Sequence, residues 1–278
     1  MDRDGDVLRV FDVRGTAALL APTRLDLIFV DRMQLGAMII DPASGRDVTV
    51  VGTNDPTPPA PSWGWDESTS TSVNDYSFGR AVPSGDYKVL RLHVIETSSR
   101  WHGRHRSQWC EVGTIMDDGA EPTWRRRPWG PFYQTSFSCE HKATINGDLY
   151  FMLCGTNSAS LDLNLIATFN LESEEWKANT IKGPLLGRKK EYDKWRITLT
   201  ELKGTLCMVH NVQHHAVFGV NYANIWLLKD PDRSVWVKEY KIQMPEGLLF
   251  TKPLDVLLDG RVLLLNTYRK AGNNEKCH

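Results

Sequence analysis

Short apolar runs separated by turn residues recur along the whole chain, and no stretch shows the spacing of an amphipathic helix. The runs are rich in Val, Ile, Leu, Phe, Tyr and Trp, and Gly, Asp, Asn or Pro flank many of them. Clear examples are Leu25–Val30, Ala37–Ile40, Lys88–Val94, Leu149–Cys154, Leu165–Leu171, Thr205–Val209, Ile225–Leu228 and Val262–Leu265. This punctuation is typical of strands joined by tight turns, so the sequence predicts an all-β protein.

Glycines mark four predicted hairpin turns, at positions 85, 147, 204 and 260, and successive turns lie about 60 residues apart. Asn146-Gly147 and Asp259-Gly260 tolerate positive φ at both central positions of a turn. Such dipeptides favour two-residue type I′ hairpins. Each of the four glycines is therefore expected to open a repeated unit.

A second pattern, a strand followed by a polar turn and a Trp, recurs between those hairpins. It spans Ile166–Trp176 and Ile225–Trp236, with a version lacking Trp at Met38–Val48 and a looser one at Cys110–Trp124. Four strands per unit at this period are typical of propeller blades, which stack because one sheet cannot bury both of its faces alone. We therefore predict a β-propeller-like, kelch-like array of four-stranded antiparallel sheets. It has roughly five units, of which the first and last look incomplete; a β-sandwich or two β domains is the alternative.

Several segments depart from the repeat within what we predict to be a single domain over residues 1–278. The Pro-, Ser- and Thr-rich segment Gly52–Asn74 is expected to be an exposed loop, and Thr267–His278 a polar tail. Ser98–Pro131, rich in Arg and Trp, is expected to be irregular. Val7–Val13 reads as an orphan strand, which could pair beside the last hairpin and close the ring.

Composition and charge narrow the function. The 278 residues include 33 Lys and Arg against 34 Asp and Glu, so the basic excess of a nucleic-acid binder is absent. No apolar stretch approaches the roughly 20 residues of a membrane span, and the first residues do not resemble a secretory signal. The five scattered Cys indicate free thiols in a reducing compartment. We therefore expect no membrane partner, no specific nucleic acid, and a cytoplasmic or nuclear location.

Candidate chemistry is sparse. The densest group of ligand-type side chains is Cys207 with His210, His214 and His215, but a partner group at matching spacing is missing. A polar loop at a strand end is therefore favoured over a metal site. No nucleophile elbow, zincin motif or phosphate-binding glycine loop occurs, so the sequence predicts neither catalysis nor a cofactor.

Six runs resemble, in the same order, elements of the plant F-box-associated interaction domain. The first matches the family's opening "GFGYD…GDYKVVRL", the second "VNGALHWL" and the third "ILAFDLATEEW"; the resemblance extends over about residues 24–268. The runs are Tyr76–Leu92, His141–Phe151, Ile166–Trp176, Leu199–Val209, Asn224–Trp236 and Pro253–Asn266.

This resemblance implies the substrate-recognition part of an SCF-type ubiquitin ligase receptor, which captures a target protein and leaves ubiquitin transfer to other subunits. In the family, an N-terminal F-box docks the Skp adaptor. No Leu-Pro-x-Asp/Glu-Leu motif precedes Val7, so we do not expect this chain to bind the adaptor. The alternatives are a propeller enzyme or carbohydrate-binding module, and an F-box-less remnant or dominant-negative relative.

Arginine and tryptophan in the irregular segments are the candidates for contact with the target protein, since both residue types are enriched at interface hot spots. A solvated loop, or stacking on single-stranded nucleic acid, is the alternative for this basic, aromatic patch. The candidates are Trp63, Trp65, Trp101, Arg104, Arg106, Arg126 and Trp129.

Overall fold

Strands and turns make up nearly all of the described protein. The computed structural model describes residues 19–20, 25–31, 36–45, 47–50, 68–99, 103–115, 122–128, 134–135, 139–154, 164–184, 194–213, 221–245, 248–257 and 260–268. Within these ranges the one helical element is a 3-10 turn at Cys139–His141. The prediction of an all-β protein is therefore confirmed.

The strands form five antiparallel sheets that follow one another along the chain. Sheet I contains β1 (Leu19–Leu20), β2 (Ile28–Asp31), β3 (Ala37–Ile40) and β4 (Asp47–Val50). Sheet II contains β5 (Ser68–Arg80), β6 (Tyr87–Ser99), β7 (Gly103–Thr114) and β8 (Trp124–Arg127).

Sheet III contains β9 (Gln134–Thr135), β10 (Lys142–Ile145), β11 (Asp148–Cys154), β12 (Leu165–Asn170), β13 (Glu175–Trp176) and β14 (Ile181–Lys182). Its two outer strands are each broken in two, since β9 and β10 both pair with β11, and β13 and β14 both pair with β12. Sheet IV contains β15 (Lys194–Leu202), β16 (Thr205–Gln213), β17 (Tyr222–Asp230) and β18 (Val235–Gln243). Sheet V contains β19 (Leu248–Val256) and β20 (Val262–Tyr268).

Neighbouring sheets pack face to face, and each interface has its own apolar core. Burying one large apolar side chain contributes about 1.5–3 kcal/mol, so these interfaces hold the array together. Fully buried side chains at the four interfaces include Phe29 and Phe78 between sheets I and II, Leu90 and Phe151 between II and III, Met152 and Leu199 between III and IV, and Cys207 and Ile225 against sheet V. The first strands of sheets II to V are neighbours in space, as in a propeller: β5 contacts β10, β10 contacts β15, and β15 contacts β19.

The predicted propeller-like array is thus confirmed as successive antiparallel sheets, and the hairpins open the units where the glycines indicated. Sheet V contributes two strands in the described ranges, in agreement with an incomplete last unit. The first unit was also predicted to be incomplete, and this is wrong, because sheet I has four strands. The predicted closure by Val7–Val13 falls outside the described residues and stays a prediction.

Two predicted turns have different outcomes. Asn146 and Gly147 have φ of 49° and 82°, as a two-residue type I′ turn requires. The same prediction is wrong for Asp259-Gly260, because β19 ends at Val256 and β20 begins only at Val262. The backbone N of Leu257 donates to the carbonyl of Arg261 (2.8 Å), a pairing that a two-residue turn at positions 259 and 260 excludes, and Asp259 itself lies outside the described residues.

Three predicted irregular segments are partly strand. Within Gly52–Asn74, residues 68–73 pair with the end of β6, because a ladder uses backbone groups and Thr and Val suit strands. Within Ser98–Pro131, β7 and β8 continue sheet II. The predicted tail begins too early, since Thr267 and Tyr268 pair with β19.

Gly147→Ala is expected to destabilise the protein more than Gly204→Ala, by about 1 kcal/mol. Both glycines have positive φ, 82° and 72°, so both substitutions strain the backbone. A Cβ at position 147 would meet the backbone N of Val82 at 3.1 Å, whereas nothing lies within 4 Å of one at position 204. Urea unfolding measures both variants; equal losses would show that the turn–turn contact contributes nothing.

Candidate functional site

One face of sheet II carries a row of charged and aromatic side chains, which we call the arginine–tryptophan cluster. Register places Arg91, Glu111 and Arg126 opposite one another on β6, β7 and β8. Side chains two residues apart on a strand share a face, so Arg91 lies on the same face of sheet II as Val89. Val89 packs toward sheet I, so the row lies on the face that is turned toward sheet I. The cluster comprises Arg91, His93, Trp109, Glu111, Trp124 and Arg126.

Arg126 is the exposed member of the cluster. Its guanidinium carbon lies 4.2 Å from the centre of the Trp109 ring. The Trp109 ring in turn stacks on His93, with ring centres 3.8 Å apart and planes within 5°. Trp109 and His93 are buried, so Arg126 rests on a fixed aromatic platform with its charge toward solvent.

The buried part of the cluster is held by Arg91 and Glu111. The Nε of Arg91 donates to Oε2 of Glu111 (2.5 Å), and its guanidinium carbon lies 3.8 Å from the ring centre of Trp124. His93 Nε2 lies 3.4 Å from the same carboxylate. Arg91 and Glu111 compensate each other, so Arg126 supplies the cluster's surplus positive charge.

Protonation follows the same geometry. Burial lowers the pKa of His93, and the charges of Arg91 and Arg126 lower it further, although Glu111 opposes this. The ring is therefore neutral near pH 7. Burial would raise the pKa of Glu111, but contacts with His93 and Arg91 outweigh it and lower that pKa, so the carboxylate is ionised.

The carboxylate of Glu174 contacts three cations of sheet II and links that sheet to sheet III. Glu174, in the turn between β12 and β13, accepts hydrogen bonds from Nε of Arg125 (3.1 Å) and Nε of Arg127 (2.9 Å), both on β8. Lys88 Nζ on β6 lies 3.0 Å from Oε1 of the same residue. Burial raises the pKa of Glu174, yet the hydrogen bonds from these three cations outweigh burial and lower it to about 2. We call this group the Glu174 clamp.

The hairpin turns of successive sheets surround a cavity of about 500 Å³, which we call the turn cavity. Arg80 and Val82 of sheet II, Asn146 of sheet III, Glu201 of sheet IV and Leu254 of sheet V all line it. The first strands of sheets II, III and IV each end at this opening, where Arg80, Ile145 and Glu201 line it. Its walls are mainly apolar, with a few polar groups, as in many ligand pockets.

The structure describes few of the predicted contact residues. Arg126 is exposed in the cluster, as its predicted role needs. Arg104 and Arg106 lie on β7, paired with Ser98 and Glu96, instead of in an irregular segment, because β7 is longer than its apolar run. Outside the described residues lie Trp63, Trp65, Trp101 and Trp129.

The candidate metal ligands Cys207 and His210 are both buried on β16. They are three residues apart on one strand, so their side chains point to opposite faces and cannot share an ion. In the described residues no group of three or more His, Cys, Asp and Glu could hold a metal ion. The described residues also contain no helix able to cross a membrane.

A comparison with known protein families gives a match for most of the chain. The model of the F-box associated beta propeller domain matches residues 65–260, more than two thirds of the chain. The chain belongs to the F-box associated β-propeller domain family. The resemblance inferred from the six sequence runs is thereby confirmed. No curated protein matches the chain.

The match locates the candidate sites within the F-box associated domain. It spans the described parts of sheets II, III and IV and all of β19. The arginine–tryptophan cluster and the Glu174 clamp therefore lie wholly inside the family's domain. All but Leu25 of the residues that line the turn cavity lie there as well.

Sequence reasoning missed the turn cavity and the Glu174 clamp. Glu174 looks like a solvated turn residue beside Glu175, and Arg80 like the polar end of a strand. Their roles depend on which turns meet in space. The available signal was the hairpin glycine of two units, since Gly147 and Gly204 mark turns that line the cavity.

Proposed function

We propose that this F-box associated domain captures a target protein as the recognition part of an SCF-type ubiquitin ligase receptor and performs no catalysis itself. Family membership supports a protein-interaction role of this kind. A propeller-like stack of sheets suits it, since a rigid scaffold holds loops and strand faces in place for binding. We further propose that binding occurs in the cytoplasm or nucleus, in keeping with the free, buried thiols of Cys110 and Cys207.

The observation that carries this proposal is the exposed guanidinium of Arg126 on the buried Trp109. An arginine already held on an aromatic ring loses little side-chain entropy on binding. It offers donors for a partner's carboxylate or backbone carbonyl beside a flat apolar surface. Residues of this type supply much of the affinity of protein interfaces.

The described turn cavity does not favour the enzyme alternative. Hydrolysis of sugars needs a pair of carboxylates across the scissile bond. Among the described residues that line the cavity, Glu201 supplies one carboxylate, and its Oε1 accepts the backbone N–H of Gly204 at 2.5 Å.

Affinity capture with the full chain, followed by quantitative mass spectrometry, tests the proposal. Arg126→Ala is expected to reduce recovery of the specific partner at least about tenfold, since hot-spot residues contribute roughly 2 kcal/mol or more. Arg233→Ala is the matched control, because Arg233 lies in the β17–β18 turn, its side chain is 84% exposed, and it is not part of the arginine–tryptophan cluster.

Loss of ubiquitin conjugates on the captured protein in cells that carry Arg126→Ala in place of the wild-type chain would support the ligase-receptor role. Equal recovery by both variants would contradict a role for the cluster in binding. Recovery of nucleic acid instead of a specific protein would contradict the proposal as a whole.

A further inference from the structure

The turn cavity has a fixed rim. Asn146 Nδ2 donates to the carbonyl of Gly204 (3.4 Å), which joins the turns of sheets III and IV. On the other side, the Cα of Gly147 lies so close to Val82 that a Cβ would meet its backbone N at 3.1 Å. Turns of three successive sheets thus support one another, and the opening is formed before any ligand arrives.

The cavity presents apolar surface to solvent. Val82 is 54% exposed and Leu254 is 41% exposed, and both fractions are high for large apolar side chains. Val82 lies in the β5–β6 turn of sheet II, and Leu254 lies on β19 of sheet V. Leu25, Ile145 and Pro253 extend the apolar wall. An exposed apolar surface around a concave opening is the usual mark of a binding site.

Arg80 supplies unused hydrogen-bond donors at this wall. Its Nε donates to the carbonyl of Gly85 (3.0 Å), and its guanidinium carbon lies 5.6 Å from the ring centre of Tyr87. These contacts fix the side chain but leave both Nη groups without an acceptor among the described residues. The group is exposed, so it can receive a ligand without first breaking an ion pair.

Two other polar residues of the lining, Glu201 and Asn146, form hydrogen bonds within the protein. Glu201 accepts the backbone N–H of Gly204 in its own turn, and Asn146 donates to the carbonyl of that glycine. The cavity therefore combines apolar walls with one positioned cation whose Nη donors are available. A guanidinium fork suits a carboxylate, because two parallel hydrogen bonds can form.

We infer that the turn cavity binds an extended segment of a partner protein in which an acidic side chain is flanked by apolar ones. The inference rests on the proposed function, since it assigns a chemistry to the captured protein. The acidic side chain pairs with the Nη groups of Arg80, and the apolar neighbours cover Val82 and Leu254. A volume of about 500 Å³ lies within the usual range for pockets and accommodates a few side chains.

The charge of Arg80 selects against other occupants. A lysine- or arginine-bearing segment would meet a like charge at Arg80, and the one carboxylate of the described lining, that of Glu201, already accepts the backbone N–H of Gly204. A polyphosphate needs several cations, and the described lining offers one. The segment that fits best is therefore short, apolar and singly acidic.

Selection from a phage library of random heptapeptides tests the inference on the full chain. Wild type is expected to enrich Asp or Glu beside Leu, Ile, Val or Met. Arg80→Glu should enrich Lys or Arg at that position among the same apolar residues, because the sign of the cavity's charge is reversed. Arg233→Glu is the matched control and should keep the acidic preference, since Arg233 lies outside the lining.

A second variant, Leu254→Asp, places a charge on the apolar wall and should weaken the selected acidic peptides at least about tenfold in fluorescence anisotropy. Arg80 and Leu254 are both exposed, so circular dichroism should show the wild-type fold in each variant. Acidic peptides that bind Arg80→Glu as tightly as wild type, or a wild-type selection without any acidic consensus, would overturn the inference.

The test separates this inference from the proposed function. Arg126→Ala leaves the turn cavity intact, so it should retain the selected peptides. If no peptide depends on Arg80 while Arg126→Ala still loses the captured protein, the cavity inference fails and the proposed function stands. If Arg126→Ala still captures the protein and the peptides still depend on Arg80, the proposed role of the arginine–tryptophan cluster fails.

Discussion

Glu174→Gln is expected to lower the free energy of unfolding by about 3–5 kcal/mol at pH 7, because it removes one partner of a buried charge network. Lys88, Arg125 and Arg127 all contact this carboxylate, and Glu174 itself is only 5% exposed. A neutral amide cannot compensate three cations. The cost falls on the interface between sheets II and III, and chemical denaturation measures it.

The effect of this substitution should depend on pH. The hydrogen bonds of the clamp hold the pKa of Glu174 near 2 in the folded protein, below its usual value of 4.5. A depressed pKa means that the unfolded chain binds the proton more readily. The stabilisation is therefore complete above about pH 4.5 and is lost as pH falls toward 2, so the difference between wild type and Glu174→Gln should shrink over that range.

The neighbouring residue provides the control for the Glu174 clamp. Glu175→Gln makes the same chemical change one position along, at an exposed side chain. Its unfolding free energy should stay within about 0.5 kcal/mol of wild type. Equal losses from the two substitutions would show that net charge, and not the clamp, stabilises the fold.

Lys142→Met is expected to cost about 3–5 kcal/mol at pH 8, because it leaves the buried carboxylate of Asp75 without its cation. Lys142 on β10 donates to Oδ1 of Asp75 and to the carbonyl of Tyr76 on β5. Asp75 is 4% exposed, and its Oδ2 accepts no hydrogen bond from the described residues. Methionine keeps the apolar stem but removes the charge and the donor.

Here the pH dependence has the opposite sign. Burial raises the pKa of Asp75 from 3.8 to about 6, although Lys142 opposes it. The folded protein therefore binds this proton more readily than the unfolded chain, and the stability contributed by Asp75 falls as pH rises from about 4 to about 6. Without Lys142 the pKa should rise further, so the loss in Lys142→Met should be smallest near pH 4 and grow above pH 6.

A double variant tests whether the unpaired charge is the cause of that loss. Adding Asp75→Asn to Lys142→Met removes the uncompensated carboxylate and should recover at least half of the stability lost at pH 8, a coupling typical of residues in contact. Urea unfolding at pH 4 and pH 8 measures wild type, Lys142→Met, Asp75→Asn and the double variant. A loss that is independent of pH and persists in the double variant would show that Lys142 acts through packing alone.

Arg126 shows how far a candidate site could be predicted. Its residue type and its neighbours pointed to an interface, and the structure shows it exposed on Trp109. Its partners His93 and Glu111 were not recognised, because they come from strands whose pairing register the sequence does not state. The same reasoning overlooked Arg80, which becomes a candidate binding residue only because it lines a cavity between several sheets.

The error at residues 68–73 has a related cause. The segment is polar, so it gave no apolar run to recognise, yet it pairs with β6 through backbone groups. These residues form a strand because β6 offers unpaired backbone groups beside them. Apolar periodicity detects strands whose own side chains pack in a core. It misses polar segments that become strands by backbone pairing with a neighbouring strand.

Apolar runs, turn glycines and their recurrence were enough to determine an all-β chain of successive hairpin units, and the resemblance of six ordered runs to a known domain indicated its family. These are local properties, since a strand's alternation and a turn's positive φ depend on a few adjacent residues. Only the tertiary structure decided which charges meet: Lys142 pairs with Asp75 across 67 positions, and Arg125 with Glu174 across 49. Such contacts arise when sheets stack, because stacking brings together side chains that no local pattern relates.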